Sequence, residues 1–396
     1  MKTIIFIITL FTFSLYAQDV AKLPRPLGAG SAEVYNGKIY FFGGSNNWSG
    51  SLLYDTVYVY NGTNWAVEDT IPDRNMWDVE TVRIGNEVYL VSGWPGGANF
   101  LRKYNLDTKE WTYLANSPNA TTWGVAAEFV NGFIYLFAPN GSVWAYSVWD
   151  NMWETKSSSG YSGPLNLSSI VYNDEIYVIG YNDSVFVKYN PATDIWTPLA
   201  KSLYQVGASA MGIINDQIYC VGGNSTGQST AQYKSIIVYN ATENEWKTDS
   251  LQISGKRHWM ATAEYEGGLY VLGGIDSTAL SVSSVEEIVP QGTAVSLASE
   301  RQAVPGKFRL FPNYPNPFNP TTILSYELSE VAEVSLDVFD VKGRKVTSLI
   351  KSIKQQPGVY NVVFDATGLV SGIYFSKINI SGTVSSTFSQ KMILLK

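Results

Sequence analysis

Apolar and polar positions alternate along this chain in short runs, and the runs recur. Six times a polar or glycine turn leads into an apolar residue and a tyrosine: Ile39-Tyr40, Val88-Tyr89, Ile134-Tyr135, Ile176-Tyr177, Ile218-Tyr219 and Leu269-Tyr270. The steps between these tyrosines are 49, 46, 42, 42 and 51 residues. Each opens an apolar run too short for a helix and of a length suited to a buried strand. In units one, five and six the run ends on Gly43-Gly44, Gly222-Gly223 and Gly273-Gly274, where the backbone must turn tightly or admit another backbone. A second β-rich run then closes on Tyr60, Tyr104, Tyr146, Tyr189 or Tyr239. Trp65, Trp111, Trp153, Trp196 or Trp246 comes five to seven residues later. Each unit is predicted to be four short strands.

A four-stranded unit of this length cannot cover both of its faces, so neighbouring units must stack, and the regularly placed Tyr and Trp supply large flat packing surfaces. The tyrosine, diglycine and tryptophan pattern resembles the kelch repeat of β-propellers, which implies an all-β, six-bladed kelch-type propeller over residues 18–290. Units two to four depart from the pattern, with Ser92-Gly93, Ala138-Pro139 and Gly180-Tyr181 in place of the diglycine. The sixth unit has no tryptophan strand of its own. The segment Asp19-Val20-Ala21-Lys22-Leu23 reads as the missing outermost strand, closing the ring and removing an exposed edge.

After Pro290 the pattern stops, and residues 291–307 are small and polar without periodicity, as a linker would be. Four prolines then fall within nine residues, at Pro312, Pro315, Pro317 and Pro320. Beyond them the chain alternates with a period of two, as in Leu324, Tyr326, Leu328 and Val334, Leu336, Val338, so residues 308–396 are expected to form an Ig-like β-sandwich. Tyr314-Pro315-Asn316-Pro317, Asp340-Val341-Lys342-Gly343-Arg344, Ser371-Gly372-Ile373-Tyr374 and the ending Lys391-Met392-Ile393-Leu394-Leu395-Lys396 resemble the C-terminal sorting domain of the type IX secretion system. That resemblance implies export through the outer membrane and a protein that is secreted or attached to the outer surface. Residues 308–396 would then engage the secretion machinery. Residues 1–17, with Lys2 ahead of an apolar run from Ile4 to Leu15 and then Tyr16-Ala17, read as a signal peptide; no later segment reads as a membrane span.

Composition narrows the chemistry. The net charge of −7 argues against nucleic acid as partner, and one His and one Cys, Cys220, leave too few ligands for a histidine- or thiolate-based metal centre. No metal or cofactor is expected. The tail carries nine basic and six acidic residues, so the acidity resides in the repeats.

Antiparallel topology places the lead-in to each first strand and the turn after each second strand on one rim. Trp48, Trp77, Trp94, Trp123 and Trp259 lie outside the repeat pattern, and all five fall on those loops. With Arg74, Arg257, His258, Tyr204 and Gln205 beside them, they form the expected ligand site. Flat rings with nearby donors suit a glycan or an extended peptide. Glu33, Glu80, Glu128 and Glu264 recur in the first strands, where carboxylates would line a channel. The resulting expectation is a surface-displayed binding module rather than an enzyme. Its alternatives are a carbohydrate-active enzyme of the kelch-type sialic acid mutarotase kind and a structural surface-layer component.

Overall fold

A computed structural model describes the chain from residue 18 to residue 395, apart from residues 20, 73–75, 94–100, 119–123, 164–165, 226–230, 267, 289–307, 312, 314, 329 and 383–384. The expected signal peptide and linker therefore lie outside the described residues, as do Arg74, Trp94 and Trp123.

The repeats form six four-stranded antiparallel sheets. Their first strands are Ser31–Tyr35, Glu80–Ile84, Ala126–Val130, Ser168–Tyr172, Ala210–Ile214 and Ala261–Tyr265, and each touches the next around a closed ring. In the first five sheets the fourth-strand tryptophan packs on the third-strand tyrosine. Ring centroids are 5.2 Å apart for Tyr60 and Trp65, 4.6 Å for Tyr104 and Trp111, and 5.1 Å for Tyr239 and Trp246. The indole N–H then reaches back to the preceding sheet, Trp153 donating to Ala115 O at 2.9 Å, Trp196 to Ser157 O at 2.9 Å and Trp246 to Ala200 O at 3.1 Å. Each of these tryptophans thus fills a core and fastens two sheets.

The sixth sheet is completed from the N-terminus. Gln18–Asp19 pairs with Glu286 and Glu287 of the strand Val285–Ile288, slightly upstream of the expected 19–23. Trp65 donates to Ala21 O at 2.9 Å, so Ala21 occupies the place that Ala115, Ser157 and Ala200 take in other sheets. Leu23 and Leu27, 3% and 0% exposed, bury the segment between sheets six and one.

The diglycines have a specific task. Gly44, Gly223 and Gly274 donate their N–H to Met76 O, Arg257 O and Leu27 O of the following sheet at 2.7, 2.8 and 2.9 Å. A Cβ on the preceding glycine would sit 2.9 Å from Met76 O, 2.7 Å from Arg257 O or 2.1 Å from Leu27 O. Both glycines also have positive φ. Sheet three carries Pro139 at the second position, which has no N–H to give.

The tail forms a three-stranded and a four-stranded sheet, ordered by Arg309–Leu310, Thr321–Leu328, Gly358–Asp365 and by Lys345–Gln355, Ala332–Asp340, Gly372–Ser381, Ser385–Leu394. Leu324, Tyr326 and Phe364 of the first meet Val334, Leu336, Ile378 and Met392 of the second in one apolar core.

Candidate functional site

The ring of first strands encloses a channel of about 300 Å³. At its upper end six links run from sheet to sheet. Asp78 N donates to Ala29 O at 2.6 Å, Leu167 N to Gly124 O at 3.0 Å, Ala208 N to Asn166 O at 2.9 Å, Trp259 N to Ala208 O at 2.8 Å and Ala29 N to Trp259 O at 2.9 Å. The sixth link uses a side chain, Gly124 N donating to Asp78 Oδ2 at 2.5 Å, while Asn166 Nδ2 donates to Oδ1 at 2.9 Å. Together they make a closed belt. Ala29, Asp78, Gly124, Ala208 and Trp259 all take φ between 49° and 72° to make it. That left-handed geometry costs little for Gly or Asp and more for a bulky side chain, so a tryptophan at 259 stands out.

Trp77 and Trp259 meet edge to face over this end, with centroids 5.0 Å apart at 90°. Among the described residues their buried indole N–H groups have no acceptor. Trp48 lies on the loop after the second strand of sheet one and is 40% exposed. That loop is tied to sheet six, Trp48 N donating to Ala279 O at 3.0 Å, and Gly50 lies against the Trp77 indole. The structure therefore brings Trp48, Trp77 and Trp259 to one mouth. Tyr204 and Gln205, both half-buried, lie on the lead-in to sheet five. There Tyr204 stacks on Tyr233 at 4.3 Å and shares a hydrogen bond with Ser235 Oγ at 2.5 Å.

Two expected ligand donors are not at the surface. Arg257 is 2% exposed and His258 0%. Arg257–His258 forms a short ladder with Ile275–Asp276, which draws both side chains beneath the rim. The Arg257 guanidinium donates to Gly273 O at 2.8 Å and to Ser284 Oγ, and pairs with the buried carboxylate of Glu286. His258 Nδ1 lies 2.8 Å from Gln232 Nε2, and burial pushes its pKa down to about 4, so the ring is neutral. Arg257 and His258 hold the rim's foundation rather than a ligand.

The channel wall carries Glu33, Glu80, Glu128, Glu264 and Asp78. Burial is the first cause of raised pKa values in four of them: Glu33, Glu80 well above its usual range, Glu128 at about 8 and Asp78 at about 6. Neighbouring carboxylates add to it at Glu80 and Glu128. Ser169 donates to Glu128 at 2.9 Å, Glu264 accepts from Ile213 N at 2.7 Å, and Ser31 and Thr81 share a hydrogen bond of 2.7 Å. Asp78 and Asn166 are site residues that the sequence reading does not single out. The available signal is an acid two residues ahead of a first strand, where units one and five place Ala29 and Ala208. Cys220 is buried and its thiol is pushed up to about 12, as an inert core residue requires. Among the described residues no cluster of His, Cys, Asp and Glu is arranged to hold a metal.

A closed ring of repeat sheets defines a β-propeller-type fold, and comparison with known proteins gives it a family context. A family model for the secretion system C-terminal sorting domain matches residues 313–394. Kelch-like protein terF of Aspergillus terreus is 25% identical over 243 residues, covering 52% of this chain and 52% of that protein. Human Kelch-like protein 23 is 26% identical over 226 residues, 55% of this chain and 36% of its own length. The chain thus spans about half the length of the first relative and about a third of the second. The solved structure of YjhT superposes with a TM-score of 0.58 at 14% identity, over 69% of this chain and 98% of that one, a likeness of fold. The chain combines kelch repeats with a type IX sorting tail, and the tail directs it to the cell surface or the extracellular space. No helix among the described residues is long and apolar enough to cross a membrane.

Proposed function

We propose that residues 18–290 are a six-bladed kelch propeller acting as an exported binding module, joined by the linker 291–307 to an Ig-like sorting domain at 308–396. Its ligand, a glycan or an extended peptide, binds at the upper mouth against Trp48, Trp77 and Trp259. One observation carries this reading: two tryptophans, one in a left-handed conformation, meet over the channel with their indole N–H groups unpaired among the described residues, beside an exposed third. Buried indole N–H groups normally find an acceptor, and a ligand oxygen would supply one. Arg74, Trp94 and Trp123, expected at the same rim from the sequence, lie outside the described residues.

A second reading, a carbohydrate-active enzyme, draws on the channel carboxyls. Glu128, with a pKa near 8, would serve as an acid beside an ionised partner. It is the weaker reading, because Arg257, one of the two arginines expected at the rim and able to hold a substrate carboxylate, is committed to Glu286.

The test is a glycan and peptide array probed with the full chain, with affinity measurements on variants of it. Trp77→Ala and Trp48→Ala are each expected to weaken the best ligand by about 2 kcal/mol or more, roughly thirtyfold. Met152→Ala, 66% exposed on an outer strand, is expected to change nothing. Rim variants that fold and bind as tightly as the parent would overturn the assignment.

A further inference from the structure

The lower end of the channel has a different character from the rim. The fourth positions of the six first strands are Val34, Arg83, Phe129, Val171, Ile213 and Glu264. Five of the six are half-buried, and four are apolar. Two of them touch the tail. Phe311 meets Phe129 edge to face with centroids 5.5 Å apart, and Glu327 Oε1 lies 3.4 Å from Arg83 Nη1.

Burial within the tail points the same way. In the strand Thr321–Leu328 the core positions are Leu324, Tyr326 and Leu328, so Ser325 and Glu327 face outward. Yet Ser325 is only 2% exposed and the Glu327 side chain only 19%. Phe311 is 1% exposed without belonging to the tail's own core. What covers these residues is the underside of sheets two and three: Ile84, Asn86, Phe129 and Trp149 line a cleft of about 330 Å³ with Phe311, Ser325 and Asn361.

We propose that the lower mouth is the docking surface for the chain's own C-terminal domain. Phe311 is the plug and Arg83 with Glu327 the orienting pair, so the seated domain covers the channel end beneath sheets two and three and leaves the upper mouth as the free approach. Phe311 supplies apolar contact, and the ion pair fixes which way the three-stranded sheet lies. Outward residues farther along that sheet, such as Val363 at 63% exposed, stay uncovered, so the seat is confined to one end of it.

The experiment is a spin-label distance measurement on the full chain. Labels go on Met152→Cys and Val370→Cys, which are 66% and 78% exposed; the buried Cys220, its thiol pushed up to about 12, stays unlabelled. A seated domain gives one narrow distance distribution. Glu327→Arg and Phe311→Ala are each expected to broaden it, and adding Arg83→Glu to Glu327→Arg is expected to narrow it again. A broad distribution in the otherwise unaltered chain would overturn the proposal. So would a narrow one in both single variants, or a charge swap that fails to restore what Glu327→Arg loosened.

Discussion

Asp78 allows the belt around the channel to be tested at a single side chain. It closes the one link that backbone alone does not make, accepting from Gly124 N–H and from the Asn166 amide while 7% exposed. Two opposing effects result from its loss. Removing the carboxyl leaves two buried donors unpaired, at about 1–3 kcal/mol each. It also removes a buried charge. The group's pKa is raised from 3.8 to about 6, first by burial. The folded state therefore holds its proton more tightly than the unfolded chain does. Stability from this site is fully present below about pH 4 and is lost as pH climbs through about 6, a loss of about 3 kcal/mol.

The variants Asp78→Ala and Asp78→Asn share the loss of charge and differ in the hydrogen bonds. Asparagine keeps an acceptor for Gly124 N–H and, with the Asn166 amide turned, donates to its oxygen. Asn is expected to be near neutral at pH 3.5 and more stable than the parent by up to about 3 kcal/mol at pH 7.5. Ala is expected to lie about 2–6 kcal/mol below Asn at both pH values. At about 2–4 °C per kcal/mol, thermal unfolding of the full chain at the two pH values resolves both effects. Glu80 reinforces the pH effect, since the Asp78 charge helps raise its pKa. Equal melting of Ala and Asn would show that the sixth link contributes nothing. Identical pH responses in parent and variants would show that burial does not hold this proton.

Two further outcomes are expected. Arg257→Met leaves the Glu286 carboxylate buried without its ion-pair partner and is expected to cost about 3–5 kcal/mol, with Arg257→Met/Glu286→Leu recovering most of the loss; urea midpoints check both. Deleting residues 18–23 removes the last strand of sheet six, the Ala21 acceptor of Trp65 and the buried Leu23. It is expected to lower stability by at least about 2 kcal/mol, read as a fall of several degrees in melting temperature.

What the sequence reveals and what it conceals divide by how local the cause is. The Tyr and Trp of each repeat are legible because one side chain does the same job from sheet to sheet, filling a core and bonding outward. Diglycines are legible for the same reason, and Pro139, which has no N–H to give, instead accepts from Gly163 N of the following sheet at 3.0 Å. The direction of the first-strand glutamates is not readable from five-residue strands; only the ring of sheets turns them inward. Arg257 and His258 read as rim donors but are buried, because the ladder that covers them is made with Ile275–Asp276, on a loop that neither residue's own neighbourhood announces. Asp78 gives little local signal, since its partners, Gly124 and Asn166, come from two other repeats.

The channel chemistry bears on which ligand the upper mouth would accept. A wall with five acidic side chains would ordinarily favour a cation, such as a lysine of a basic peptide. Here burial raises four of these carboxyls, with neighbouring carboxylates adding to it at Glu80 and Glu128, and Glu128, near 8, is largely protonated at neutral pH. A protonated carboxyl donates through its O–H and accepts through its carbonyl, and the hydroxyls of Ser31, Thr81, Ser169 and Thr262 along the same wall likewise both donate and accept. Such a surface matches the alternating donors and acceptors of a sugar better than it matches a point charge, and the indoles above it suit a sugar's flat face. Affinity is therefore expected to change little between about 50 and 500 mM salt and to fall as pH rises through about 8, where Glu128 loses its proton. Titration of the array's best ligand under those conditions separates the cases. Binding that weakens steeply with salt and strengthens with pH would identify a cationic ligand and refute the glycan reading.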